Sequence, residues 1–251
     1  MRIAQISDTH IATADPTKRA RIDNLAAAVR SINALAEPVD AVVHTGDISH
    51  DASASDYAAA RAELAKLRAP LYTTIGNRDR RNTYFDAFGG DGYLDVACGY
   101  AQYAVDLGPL HLVAVDTQYR DTQKGGLGGF CASRAAHLDA LLAAGGGKPT
   151  LVFAHHPPVE LVDTPRLQFR EAEEAQLLCS CLQRHDALVG VLAGHVHRTF
   201  KVPIGRTELS TVPSIAVDLS REKSGESRVE CPIYHVHDVA NGAVVTRAIM
   251  I

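Results

Sequence analysis

Seven side chains able to ligate a metal fall in five short clusters of this sequence. Asp8 and His10 lie in Asp8-Thr9-His10, Asp47 in His44-Thr45-Gly46-Asp47, and Asn77 in Gly76-Asn77-Arg78-Asp79. His155 opens His155-His156-Pro157-Pro158, and His195 and His197 lie in Gly194-His195-Val196-His197. Imidazole and carboxylate together suit first-row divalent metals such as Zn, Fe and Mn. The set exceeds one tetrahedral shell, and a carboxylate such as Asp47 can bridge two ions, so two metals explain it better than one. Two ions roughly 3.5–4 Å apart form a clamp for in-line displacement at phosphorus. A lone Asp-x-His is ordinarily turn or surface chemistry; repetition behind successive strands is what core histidines do not produce.

Short apolar runs must position these residues. Ile3 to Ile6, Ala41 to Val43, Leu71 to Ile75, Leu112 to Val115, Leu151 to Ala154 and Val189 to Ala193 read as strands covered on both faces. Each ligand cluster follows one of these runs, at the carboxyl end where open α/β sheets place their crevices. Between them, Ile22, Leu25, Val29 and Ile32 repeat at helical spacing behind Asp15-Pro16. Tyr57, Ala60, Leu64 and Leu67 do the same behind Ser53 and Asp56, set like a capping box. Leu138, Leu141 and Leu142 predict a helix opened by Ser133, and another is expected from about Leu167 to Arg184. From Phe200 onward, Lys201 to Ile204, Glu208 to Val212, Ile233 to Val239 and Ala243 to Ile249 read as antiparallel strands, with Asn241-Gly242 as a hairpin turn.

In this order, D-x-H, G-D, G-N-x-[DE], a histidine ahead of prolines, and G-H-x-H resemble the calcineurin-like metallophosphoesterase superfamily. The match covers positions 8 to 197. His155-His156-Pro157-Pro158 makes the chain similar to the bacterial class III cyclic-nucleotide phosphodiesterase and glycerophosphodiesterase group; Asp116-Thr117 and Thr211-Val212-Pro213-Ser214 fit that group loosely. The resemblance implies an α/β sandwich of two mixed β-sheets flanked by helices, with a dinuclear site at strand carboxyl ends. It implies that Asp8, His10, Asp47 and His197 hold one ion and that Asp47, Asn77, His155 and His195 hold the other, with Asp47 bridging. The pair would be divalent or mixed-valence Fe, Mn or Zn, and a metal-activated hydroxide would attack phosphorus. Asn77 would also help polarise the phosphoryl oxygen. His156 would line the pocket and steady charge on the substrate, or serve as a structural hydrogen-bonder.

One position departs from the family pattern. Arg78 stands where the superfamily usually has a histidine assigned to the leaving group. A guanidinium stays charged and is a poor general acid, yet it can stabilise charge on a phosphoryl oxygen or departing alkoxide. This tilts the expected substrates toward diesters or good leaving groups. The competing reading is that Arg78, beside Asp79, Arg80 and Arg81, belongs to a solvated charged turn. His44 reads as a satisfied core histidine, and His235 and His237, alternating on one strand, as packed or solvent-facing. The glycine run Lys124 to Gly129 lacks the arrangement of a P-loop and reads as a lid or plain loop.

At 251 residues, with 46% hydrophobic and 22% charged residues, the chain fits a single domain over 1–251, whose β-rich part from about 200 completes the second sheet or forms a cap. A formal charge of −4 and no basic run give no footprint for a nucleic-acid duplex. No segment approaches a membrane span and no leader is evident. Five scattered cysteines read as reduced thiols, so a cytoplasmic protein is expected. The expected partner is a small phosphodiester; monomer and homo-oligomer both stay open. Phosphomonoesters, nucleic acid ends, or a non-catalytic scaffold role are the alternatives, the last disfavoured because scaffolds of this kind generally lose ligands.

Overall fold

The computed structural model describes residues 1–119, 126–162, 168–220 and 230–251. Two sheets face each other. The first has the order β11-β10-β1-β2-β3, from β1 (Arg2–Ile6), β2 (Ala41–His44), β3 (Leu71–Thr73), β10 (Ile233–Ala240) and β11 (Ala243–Met250). The second has the order β4-β5-β6-β7-β9-β8, from β4 (Tyr103–Asp106), β5 (His111–Val115), β6 (Thr150–Ala154), β7 (Leu188–Ala193), β8 (Lys201–Ile204) and β9 (Thr207–Thr211). β1, β2 and β3 run parallel, as do β5, β6 and β7, while β10, β11, β4 and β8 pair antiparallel to their neighbours. The mixed two-sheet sandwich is the fold expected from sequence.

Period-two alternation explains the layers. Leu112, Ala114, Leu151, Phe153 and Leu192 point inward and join Ile3 and Val42 in the core cluster that includes the space between the sheets. Val113, Val115, Val152 and Val191 point outward beneath α4 (Ala132–Ala144) and α5 (Ala172–Gln183). The first sheet is covered by α1 (Ala20–Asn33), α2 (Ala54–Leu64) and α3 (Arg81–Phe88), through residues such as Leu25, Tyr57 and Phe88. Ser53 caps α2 by accepting from the Asp56 amide at 3.1 Å.

Several elements differ from the sequence expectation. The helix expected from about Leu167 starts at Ala172; Leu167 itself lies outside the described residues. Residues 168–170 are instead tied to Gly128, whose N–H donates to the Gln168 carbonyl and whose carbonyl accepts from the Arg170 amide. Cys131, not Ser133, is the N-cap of α4. The part after Phe200 completes both sheets: β8 and β9 extend the second, and β10 inserts beside β1 in the first. Asn241 and Gly242, with φ of 52° and 75°, form the expected turn.

Candidate metal centre

The strand ends of the two parallel trios meet along one rim, and after β1, β2 and β7 the chain leaves in a strained turn. Asp8, His10, Asp47, His195 and His197 have φ of 55°, 43°, 54°, 71° and 54°. Non-glycine residues held there cost about 1–3 kcal/mol each, so such clusters persist only where the surroundings over-determine them. Here they do. The Asp8 amide donates to the Gly46 carbonyl at 3.0 Å and the His10 amide to the Asp47 carbonyl at 3.0 Å. Gly194 N–H donates to the His155 carbonyl, and the His195 amide to Asp8 Oδ2, each at 3.0 Å. Ser214 Oγ donates to the Asp8 carbonyl at 2.7 Å. Gly76 must be glycine, because a Cβ would fall on the Asp47 amide nitrogen and carboxylate.

These turns gather the donor atoms into two groups. In the first, Asp8 Oδ1 lies 3.2 Å from His197 Nε2 and 3.7 Å from His10 Nε2. In the second, Asn77 Oδ1 lies 3.0 Å from both His155 Nε2 and His195 Nδ1. Asp47 Oδ2 joins them, at 3.5 Å from His10 Nε2 and 3.6 Å from His155 Nε2. Its other oxygen, Oδ1, accepts the Arg78 amide at 2.6 Å, which orients the carboxylate.

The residues fit a pair of cations. His155 Nδ1–H is committed to the Thr45 carbonyl at 2.8 Å and His197 Nδ1–H to the Leu219 carbonyl at 3.1 Å. Such bonds fix the tautomer and leave Nε2 as a lone pair for ligation. The His155 lone pair then faces the Asn77 carbonyl oxygen, an opposition that a cation between them relieves. Asp8 Oδ1 and both ring nitrogens of His10 are buried without hydrogen-bond partners, where a buried polar atom ordinarily finds one.

Electrostatics agree. Burial lowers the pKa of His10, His155 and His195, keeping them neutral. His197 also loses hydration, but the Asp8 carboxylate beside it outweighs that and raises it. Burial pushes Asp47 up to about 7, against the attraction of His10. A cation would supply the charge compensation that this carboxylate lacks.

Outside the two groups, the expected residues part company. Arg78 is exposed, whereas Asp79, in the same turn, is buried. Arg81 is not part of a solvated run either, since it grips Asp116 through two bonds of 2.8 Å. His156 is fully buried, with its ring centroid 4.5 Å from that of His195 and Nδ1 at 2.9 Å from Thr117 Oγ1. Gly128 packs against its ring, its Nε2 has no hydrogen-bond partner, and its ligand nitrogen lies within 4.8 Å of those of His155 and His195, so His156 stands beside the second donor group. His44 is a satisfied core histidine, accepting from the Gly46 amide at 3.2 Å and paired with Thr9 Oγ1 at 3.1 Å. His235 and His237 are buried. Of the glycine run, residues 124 and 125 lie outside the described residues.

Two supporting residues escaped the sequence reading. Arg21 donates to the His10 carbonyl at 3.0 Å and holds Asp218 at 2.6 Å. His50 stacks edge-on against His10, with centroids 5.6 Å apart. Its place three residues beyond Asp47, in the same loop, was the available signal; Arg21 carried none beyond a charge on the buried side of a helix.

Fold and site together define a two-sheet α/β sandwich with a two-group N/O donor centre at its strand ends. The family model described as calcineurin-like phosphoesterase matches residues 1–199, and the chain belongs to that family. Among curated proteins it is similar to the glycerophosphodiester phosphodiesterase GpdQ of Enterobacter lignolyticus, at 30% identity over 85% of this chain and 77% of that protein. It is also similar to the 3',5'-cyclic adenosine monophosphate phosphodiesterase CpdA of Pseudomonas aeruginosa, at 27% identity over 87% of this chain and 77% of that protein. Among solved structures, a dimetal phosphatase from Danio rerio shares the fold, with a TM-score of 0.77 at 17% identity, covering 99% of this chain and 95% of that one. Among the described residues, no helix is long and apolar enough to cross a membrane.

Proposed function

We propose that this protein is a metal-dependent phosphodiesterase that hydrolyses small diesters of the glycerophosphodiester or cyclic-nucleotide type. The observation that carries this reading is the shared position of Asp47 Oδ2, at 3.5 Å and 3.6 Å from histidines of the two donor groups. Asp8, His10, Asp47 and His197 hold one ion, and Asp47, Asn77, His155 and His195 the other. Fe, Mn and Zn are the metals this donor set suits. When bound, the pair would acidify water and neutralise phosphoryl charge. Asn77 would ligate the second ion and help polarise the phosphoryl oxygen, Arg78 would steady negative charge on the leaving oxygen, and His156 would support His195. Matching relatives named for glycerophosphodiester and cyclic-nucleotide substrates favour diesters over monoesters. Five unpaired cysteines favour a cytoplasmic setting, and the β-strands after residue 200, divided between both sheets, favour one domain over the whole chain.

The test is a screen of purified protein against a panel of phosphodiesters and monoesters, crossed with Mn, Fe, Zn and Co. Diester hydrolysis that exceeds monoester hydrolysis and is abolished by chelation is expected. Preference for monoesters would contradict the diester assignment. Failure to bind or use any metal would favour a scaffold.

A further inference from the structure

One strand of the second sheet ends in polar residues that neither donor group uses. Asp116, Thr117 and Gln118 follow β5 directly, and all three are buried. Asp116 anchors the segment. It holds Arg81 at 2.8 Å, lies 3.5 Å from Arg134, and accepts the Gln118 amide on Oδ1 at 2.9 Å. The Gln118 carbonyl in turn accepts Arg81 Nη2 and Arg134 Nη1, each at 3.0 Å. Hydrogen bonds that involve a charged partner are stronger than neutral ones. They fix the main chain of Gln118 at the rim of the second sheet.

The side chain reaches across to the first sheet. Gln118 Nε2 donates to the carbonyls of Gly76 and Asp79 at 2.7 Å each, and these two carbonyls bracket Asn77 and Arg78. Among the described residues no other donor reaches either carbonyl. The carboxamide fits only this way round, since the reversed group would set Oε1 against both carbonyl oxygens. Oε1 is consequently buried without a hydrogen-bond partner. An orphaned buried acceptor costs free energy, and an apolar side chain of similar length would avoid it. The grip on both ends of one turn is what offsets that cost.

That turn has to be placed between two sheets. In the second donor group, His155 and His195 follow β6 and β7 of the second sheet, whereas Asn77 follows β3 of the first. Asn77 Oδ1 nevertheless lies 3.0 Å from a nitrogen of each ring. Asp79 ties the turn to the Asp47 loop, which also belongs to the first sheet. Gln118 ties it to the second. We infer that Gln118 is a positioning residue for metal binding: its carboxamide holds the Gly76–Asp79 turn where Asn77 completes the second donor group. The inference rests on the proposed role of Asn77 as a ligand of the second ion. Gln118 acts through Asn77, as partners behind a metal ligand do.

The experiment titrates the whole chain with Mn or Zn by calorimetry, comparing wild type, Gln118→Met, Asn77→Ala and the double variant. Methionine keeps the length of the side chain and removes its donor. Asn77→Ala identifies the binding step that belongs to the second group. Gln118→Met should weaken that same step about tenfold or more, with the other step as in wild type. The double variant should bind no more weakly than Asn77→Ala, whereas a general loosening of the fold would add to the loss. Metal-free protein gives a readout that needs no loading. The Arg78 amide, bonded to Asp47 Oδ1 at 2.6 Å, should exchange hydrogen on the order of tenfold faster in Gln118→Met, with the amides of β6 unchanged. Should Gln118→Met fail to fold, Gln118→Asn, whose amide falls one methylene short, is measured in its place with the same expectations. Losses that add in the double variant, an unchanged second-group step, or an Arg78 amide as protected as in wild type each overturn the inference and leave Asn77 a ligand. Asn77→Ala binding both ions as wild type does would remove the ligand role itself, and the inference with it.

Discussion

Asp79 should hold the two metal loops together, and its replacement gives a measurable cost. The carboxylate is 1% exposed and accepts four hydrogen bonds. Gly76 N–H at 2.9 Å comes from the loop that bears Asn77. Ser49 N–H at 3.1 Å and Ile48 N–H at 3.3 Å come from the loop that bears Asp47, and Tyr57 supplies its hydroxyl at 2.8 Å. Asp79→Ala orphans these donors in a buried place. Each orphaned donor costs about 1–3 kcal/mol. The long Ile48 bond and the freely turning Tyr57 hydroxyl count for little, so the two remaining amides and the lost packing set a total of about 3–5 kcal/mol. Tyr57→Phe removes a single donor and should cost about 1 kcal/mol. Urea denaturation of metal-free protein measures both values, and a metal titration of the folded variant should show weaker binding of both ions. An Asp79→Ala protein within about 1 kcal/mol of wild type, with unchanged metal affinity, would refute the reasoning.

Gly76→Ala should abolish metal binding at the second group, read by metal content, because its Cβ collides with Asp47 backbone and carboxylate; near-normal loading would contradict this. In metal-free protein, stability should fall as pH drops below about 6.5. Burial holds His44 and His237 down at about 3 and His235 at about 4, so the unfolded chain binds protons that the folded one does not until those values are reached. Three such histidines give a slope of about 4 kcal/mol per pH unit between roughly pH 6 and 4.5, and a flat urea midpoint from pH 7 to 5 would exclude it. Arg78→Ala should lower kcat/KM for diesters with poor leaving groups by about tenfold or more. Arg78→His should flatten the leaving-group dependence, whereas one common slope for all three enzymes would make Arg78 a bystander.

The strands were legible because they are buried on both faces: β2, β5 and β6 are apolar runs with every residue covered. The donor clusters were legible for a related reason, since polar residues directly behind such runs must lie at a sheet end. What escaped depends on partners distant in sequence. β4 is an edge strand with half-buried positions and no clear alternation, and α3 is a short helix held by Tyr84 and Phe88. Nothing local says that His237 will meet Gln5 at 3.0 Å between the sheets, because β10 reaches β1 across the whole chain. The burial of His156 likewise follows from Thr117 and Gly128 closing around it. Asp79 looked like one charge in a charged turn; only the approach of the Asp47 loop reveals four donors waiting for it.

The central claim is that two metal ions share Asp47. Metal content per chain, measured by mass spectrometry of wild type and Asp47→Ala after loading with Mn or Zn and desalting, tests it most directly. Two ions in wild type, and one or none in Asp47→Ala with loss of diester hydrolysis, are predicted. Two tightly held ions in Asp47→Ala would contradict the account.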